Sequence, residues 1–337
     1  MFDRGFTLSF PTLNYPARTF GFVSTHGALY RRRSNPDLAV PPSSVLLQTE
    51  ESDNLPELRK NQNSNLASAS FGSSAPMLSQ ADSVGIIGGV SVESTLEFVR
   101  KLVNWSSKVG EDCLPFVLCS DPVLHQELLS HERSSFPSIN CKSEVSKMDH
   151  KLIVDNLRRK RVFLEKSGAR CIVLPCHISH SWHDDISHGC SVSFLNMAEC
   201  VAKELSEVKM KPLEAGSPLR IGVLATSAIL EAGFYQEKLE NEGFEVVLPD
   251  KATMEHAIVP AIEASNRDDM EGARNLLRIA LQVLLVRAVN TVILASDDLR
   301  DILPQDDPLL KKCIDPVDAL ARSTIKWAKA VERHSKE

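Results

Sequence analysis

The chain has 337 residues, 43% of them hydrophobic, which is enough apolar material for about two domains. Its formal net charge of −6 makes nucleic acid a poor expected partner. No apolar run approaches the roughly 20 residues that a membrane-spanning helix needs, so no membrane partner is expected, and the eight cysteines form no CxxC pair, which fits reduced thiols better than a disulfide framework.

Residues 1–82 read as a leader and linker with no sustained helical or strand period. Before Val45 the only acids are Asp3 and Asp37, while Ser, Phe and Arg are frequent. That composition is the composition of an organelle transit peptide, with the plastid ahead of the mitochondrion. An ordinary tail on a cytoplasmic protein is the alternative. The stretch from Gln48 to Gln80 reads as a linker.

Order is expected from Ser83. Val84-Gly85-Ile86-Ile87 is a short strand closed by Gly88-Gly89. Ser91, with Ser94 or Thr95, caps a helix through Trp105 whose inward residues read as Leu96, Val99, Leu102 and Val103. Pro115 to Cys119 is a second strand. Val145 to Lys166 is a charged helix with Ile153, Leu157 and Phe163 inward, stopped by Gly168. The strand at Cys171 runs into a His-rich loop, and Asn196 to Val208 is the next helix.

The turn-rich Pro212 to Pro218 marks a boundary, after which the plan repeats. Arg220 to Leu224 is a strand ending in Ala225-Thr226-Ser227, and Ala228 to Glu242 is its helix. Gly243 to Pro249 is a strand, Asp268 to Ala288 a long helix, Thr291 to Leu294 a strand, and Pro316 to Lys329 a closing helix. Strand–helix–strand–helix–strand occurs twice, which predicts an α/β fold of two doubly wound halves facing each other. The expected limits are 83–212 and 219–322, with 323–337 as a C-terminal helix packing back on the first domain.

Four places carry candidate chemistry. Gly85-x-x-Gly88-Gly89 lacks the G-x-G-x-x-G spacing and any G-K-[ST], so a nucleotide site is disfavoured. Its glycines read either as a tight turn or as an approach for backbone N–H groups to a small anion. Cys176 lies past its apolar run beside His177 and His180, where a thiol can have a lowered pKa and act as base or nucleophile. The histidines at 177, 180, 183 and 188 match no known zinc spacing, and a histidine-rich surface loop is the simpler reading. Asp297 and Asp298 follow the Thr291 strand as acid–base groups or as caps of the next helix.

Taken together, these segments resemble the aspartate/glutamate racemase family of cofactor-independent amino-acid racemases. Gly85-Ile86-Ile87-Gly88-Gly89-Val90-Ser91-Val92-Glu93-Ser94-Thr95 is similar to the family's G-x-x-G-G-[MS]-x-x-E-[AS]-T opening. Leu174-Pro175-Cys176-His177-Ile178-Ser179-His180 aligns with its M-P-C-N-T-A-H, and Ile221 to Thr226 followed by Tyr235 with its G-L-L-A-T…Y. Ile293-Leu294-Ala295-Ser296-Asp297-Asp298-Leu299 aligns with its I-L-G-C-T-E-L. The resemblance covers about Ser83 to Ala328. It implies two Rossmann-like domains related by a pseudo-two-fold axis, a ligand cleft between them, and two thiols that flank one α-carbon from opposite faces. Members often form homodimers, an expectation the resemblance extends to this chain.

The chain departs from that pattern at the second thiol, which is Ser296. A hydroxyl is a far weaker acid, and each pKa unit is worth about 1.4 kcal/mol. The Asn and Thr after the first cysteine are His177 and Ile178, and the Thr after the second is Asp297. An ionised Asp297 would repel a substrate carboxylate, which a cationic His177 would partly offset. The expected catalytic residues are therefore Cys176 as thiolate base, His180 to orient or activate it, and Ser296 with Asp298 or Asp297 as the opposite acid. Gly89, Ser91, His177, Thr226, Ser227 and Asp297 are the expected substrate-binding residues. No cofactor or metal is expected: iron, heme and flavin find no support, and the chemistry implied needs no PLP. A homologue that binds a small molecule without turnover, or a one-sided lyase or isomerase, is the alternative.

Overall fold

The computed structural model describes residues 78–107, 113–134, 150–208, 210, 212–213 and 216–336. The expected leader, nearly all of the linker and the start of the helix expected from Val145 lie outside these residues.

The first half runs β1 (Val84–Ile87), α1 (Val92–Ser107), β2 (Phe116–Cys119), α2 (Pro122–Ser134), α3 (His150–Lys166), β3 (Cys171–Val173), α4 (His183–Ser187), β4 (Ser193–Phe194) and α5 (Met197–Glu207). The second runs β5 (Arg220–Leu224), α6 (Ser227–Ala232), α7 (Phe234–Asn241), β6 (Glu245–Val247), α8 (Lys251–Thr253), α9 (Val259–Asn266), α10 (Met270–Val286), β7 (Thr291–Leu294), α11 (Asp297–Arg300), β8 (Cys313–Ile314) and α12 (Pro316–Lys336). Each half forms a four-stranded parallel sheet, ordered β2-β1-β3-β4 and β6-β5-β7-β8. The repeat visible in the sequence is therefore a repeat of topology.

The central strands are continuous apolar runs because helices cover both faces. Val84, Ile86, Ile87, Ile172, Val173, Ile221, Val223, Val292 and Ile293 are fully buried. Each contributes about 1.5–3 kcal/mol relative to exposure. One core cluster joins residues of both halves, and a second fills the space under α9 and α10. Helix α12 lies against α1 and α5. Arg322 holds Glu204 of α5 through two hydrogen bonds of 2.8 and 2.7 Å. Lys101 of α1 reaches Asp315 at 2.9 Å and Asp318 at 2.5 Å.

Several expectations change in detail. Ser91 does cap α1, its Oγ accepting from Ser94 N at 2.9 Å. The buried stripe of α1 is Ser94, Thr95, Phe98, Leu102 and Ser106, and Leu96 is exposed. On α3, Ile153 and Leu157 are buried with Leu164, whereas Phe163 falls one position off that stripe and is exposed. The helix expected over 228–242 breaks in two at Gly233, whose φ of 71° is left-handed and ends α6. The chain also forms α2, α8 and α9, which mixed polarity had hidden.

The glycines of the opening segment serve packing rather than turn geometry. None of Gly85, Gly88 and Gly89 has a positive φ. A Cβ on Gly85 would lie 2.8 Å from Ile172 Cδ1, 2.9 Å from Ala169 Cβ and 3.0 Å from Leu164 Cβ. Substitution there overpacks the junction of β1, β3 and α3. Gly85→Ala is expected to cost about 1–3 kcal/mol, seen as a lowered Tm; an unchanged Tm contradicts this packing role.

Candidate active site

In each sheet the strand order reverses between two central neighbours, β1 and β3 in one and β5 and β7 in the other. Ligands of open α/β sheets bind outside the carboxyl ends of strands at such a reversal. Four chain segments end there: Gly88–Ser91, Leu174–His177, Ala225–Ser227 and Ala295–Asp298.

Cys176 is fully buried. A Cβ on Gly89 would overlap the Cys176 side chain, so only glycine lets the β1 loop approach the sulfur this closely. The sulfur accepts from Val90 N at 3.4 Å and from Ser179 Oγ at 3.1 Å. Burial, and then the Asp297 carboxylate, push the Cys176 thiol up to about 12. The lowered pKa expected from neighbouring imidazoles is thus not found; the site at rest holds a protonated thiol. Its two donors favour the thiolate, but burial outweighs them.

Neither neighbouring histidine hydrogen-bonds the sulfur. His180, expected to orient or activate it, turns Nε2 to the Leu174 carbonyl at 2.9 Å. Burial lowers His180 to about 3, so it is neutral and props the end of β3. Ser179 takes the place expected of it. His177 bonds Tyr235 Oη through Nδ1 at 2.9 Å, and its Nε2 lies 3.8 Å from Asp297 Oδ1. Burial lowers the His177 pKa and raises that of Tyr235, so the phenol donates and the ring is neutral. The cationic His177 expected from the sequence is corrected by this burial. Among the described residues no group of three or more His, Cys, Asp or Glu side chains is placed to hold a metal ion.

Ser296 stands at the start of α11 in extended conformation, the usual place of a capping serine. Its hydroxyl makes no cap; Oγ is buried and has no hydrogen-bond partner in the protein. Asp297 does not cap either. Its Oδ1 accepts from Ser94 Oγ at 2.6 Å, a bond from the first half to the second. Asp298 is exposed, yet desolvation by the surrounding protein, and then Asp297, raise its pKa. Ser227 opens α6, half-buried. Thr226 is fully buried, and its Oγ1 donates to Glu132 Oε1 at 3.0 Å.

Glu132 carries no motif and escapes sequence reading. It ends α2 of the first half, is 7% exposed, and meets the second half at Thr226. Burial, with Asp298 and Asp297 nearby, pushes its carboxyl up to about 8 against the opposing Arg133. Ser94, Ser179 and Tyr235 are likewise site residues. All three lie inside segments that carried the resemblance, but no rule of spacing singles them out.

Comparison with known proteins bears on the family and the fold. The Asp/Glu/Hydantoin racemase family matches residues 87–324. The chain is 24% identical over 250 residues to a broad specificity amino-acid racemase of Bacillus subtilis (strain 168), covering 72% of this chain and 96% of that protein. Among solved structures it is similar to an aspartate racemase homologue from Pyrococcus horikoshii OT3, with TM-score 0.58, 21% identity, and 74% and 99% of the two chains covered. It is also similar to the Picrophilus torridus aspartate racemase, with TM-score 0.54, 22% identity, and 73% and 94% covered. These two likenesses show the fold.

Glu132 gives stability a direction with pH. Its folded pKa lies above the ordinary 4.5, so between about pH 4.5 and about pH 8 the native protein holds a proton that the unfolded chain has lost. Stability from this group therefore falls as pH rises through that window. Glu132→Gln, which keeps the size and can still hydrogen-bond Thr226, is expected to flatten the fall of Tm with pH; a slope equal to that of the wild type contradicts the assignment.

Proposed function

The chain belongs to the Asp/Glu/Hydantoin racemase family, and from that premise we propose that it is a cofactor-independent, racemase-like isomerase. It acts at the α-carbon of aspartate, glutamate or a related small acid, with Cys176 as the base. The observation that carries this reading is the buried sulfur at one strand reversal, gripped by two donors and within the field of Asp297 from the other. The broad specificity amino-acid racemase of Bacillus subtilis supports amino acids as the substrate class.

The proton steps follow from the charges. At rest, burial and Asp297 keep the sulfur protonated. The ammonium of a bound amino acid beside Asp297 offsets that carboxylate and removes the smaller of the two costs of a thiolate; burial, the larger, is opposed by the Val90 and Ser179 donors, and the reacting thiolate is a minor form whose proton has gone to solvent. The thiolate is held by Val90 N–H and Ser179 O–H, takes the α-proton, and becomes a thiol again. On the opposite face Ser296 is too weak an acid to act alone. Asp298, whose pKa is raised by burial and by Asp297, gives a proton to the carbanion directly or through Ser296 and regains one from solvent. For the compartment we propose the plastid, on the acid-poor leader bearing Arg31 to Arg33.

Incubation of each enantiomer of aspartate and glutamate in deuterated water is expected to give α-deuteration. Cys176→Ala should lower it by a factor of about 10²–10⁴, the usual worth of a positioned base. No deuteration of any of these substrates, or full deuteration by Cys176→Ala, sinks the reading. Ser296→Cys is expected to raise interconversion of the two enantiomers; an unchanged rate shows that residue 296 does not face the reacting carbon.

A further inference from the structure

Four polar side chains stand in a row, and each step along it crosses from one half of the molecule to the other. Tyr235 opens α7 of the second half, and its Oη lies 2.9 Å from Nδ1 of His177 at the end of β3. Nε2 of His177 lies 3.8 Å from Oδ1 of Asp297 at the start of α11. That same oxygen accepts from Ser94 Oγ of α1 at 2.6 Å. Tyr235 and Ser94 are fully buried and His177 is 3% exposed, so the row runs through the interior. The Asp297 side chain keeps 14% of its surface open.

The partners decide where the protons sit. A neutral imidazole carries one N–H and one lone pair, and a carboxylate only accepts. A lone pair on Nε2 would face the Asp297 oxygen across 3.8 Å with no proton between them. The N–H therefore belongs on Nε2, and the lone pair is on Nδ1. An enclosed lone pair needs a donor, and the Tyr235 hydroxyl is placed to be one. Burial favours the same arrangement. It raises the Tyr235 pKa and lowers that of His177, so the phenol keeps its proton and the ring takes no second one.

A neutral ring with its N–H toward Asp297 steadies the carboxylate without cancelling its charge. A cationic ring would pair with Asp297 and compete with any other cation for it. Ser94 and His177 both approach Oδ1, which leaves Oδ2 as the oxygen for a ligand. Phenylalanine at 235 would strand the Nδ1 lone pair, and the ring proton would then be free to move to Nδ1 and leave Asp297 facing a lone pair.

We propose that Tyr235 is a positioning residue: through His177 it holds the Asp297 carboxylate in place for the ammonium group of the substrate. The ammonium beside Asp297 is taken from the racemase-like reading, and on that the proposal rests. What it adds is a residue that acts on the substrate through another side chain.

The test is equilibrium binding to the full-length protein of two probe pairs that differ in the ammonium group, aspartate with succinate and glutamate with glutarate. The wild type is expected to favour the amino acid over its deaminated analogue by at least about tenfold in one pair. Tyr235→Phe should cut that preference by roughly three- to tenfold, the net worth of about one hydrogen bond, and leave the analogue within about twofold. In His177→Leu the ring through which Tyr235 acts is gone, so adding Tyr235→Phe should change the preference by less than about twofold. Imidazole nitrogen NMR at pH 7 should show the proton of His177 on Nε2 in the wild type and its partial transfer to Nδ1 in Tyr235→Phe. No preference in the wild type, equal weakening of both probes, the same effect of Tyr235→Phe with and without His177, or an Nδ1–H ring in the wild type overturns the proposal. Deuterium exchange by the wild type is read separately. If it persists while the binding ratio or the tautomer fails, the Tyr235 assignment falls and the racemase-like reading stands; if binding and tautomer hold without exchange, the isomerase reading falls and the positioning role stands.

Discussion

One carboxylate, that of Asp297, holds the site together. It accepts the Ser94 hydroxyl of α1 at 2.6 Å and lies 3.8 Å from His177, so it touches both the glycine-rich opening and the cysteine end of the first half. A negative charge placed there makes every further negative charge nearby costly. The same carboxylate contributes to the raised pKa values of Cys176, Asp298, Glu132 and Tyr235. Burial is the larger cause in each, but Asp297 is the shared one. Burial and Asp297 together therefore favour the protonated forms of the Cys176 thiol and the Glu132 carboxyl.

The two halves share a topology and differ in how they treat their key atom. In the first, the sulfur is packed against Gly89 and held by two donors, an arrangement that fixes its position and favours its charged form. In the second, Ser296 occupies a capping position without capping, which leaves its hydroxyl uncommitted. Asp297 and Asp298 follow it directly, and both raise the pKa of Glu132, which Thr226 hydrogen-bonds.

Much of this was legible in the sequence. Strands with continuous apolar runs declare themselves, because burial on both faces leaves no room for alternation. The small polar residues that close them mark the strand ends, so Cys176, Thr226 and Ser296 are legible as strand-end residues, whereas the strand order that puts those ends at reversal points is not. Protonation states were not legible. Proximity of His177 and His180 to Cys176 suggested activation, whereas burial leaves both imidazoles neutral and bonded elsewhere. Glu132 was invisible because its role depends on a contact to Thr226, 94 residues away.

The shared cleft is tested most directly by a crystal structure with α-methyl-aspartate, which offers the site an amino acid without an α-proton to lose. The expected result is its α-carbon between Cys176 Sγ and Ser296 Oγ, at roughly the 3–3.5 Å of a near-attack geometry, with the ammonium toward Asp297. Ligand bound away from both atoms, or protein filling the space between sulfur and hydroxyl, would contradict a reacting centre shared by the two halves.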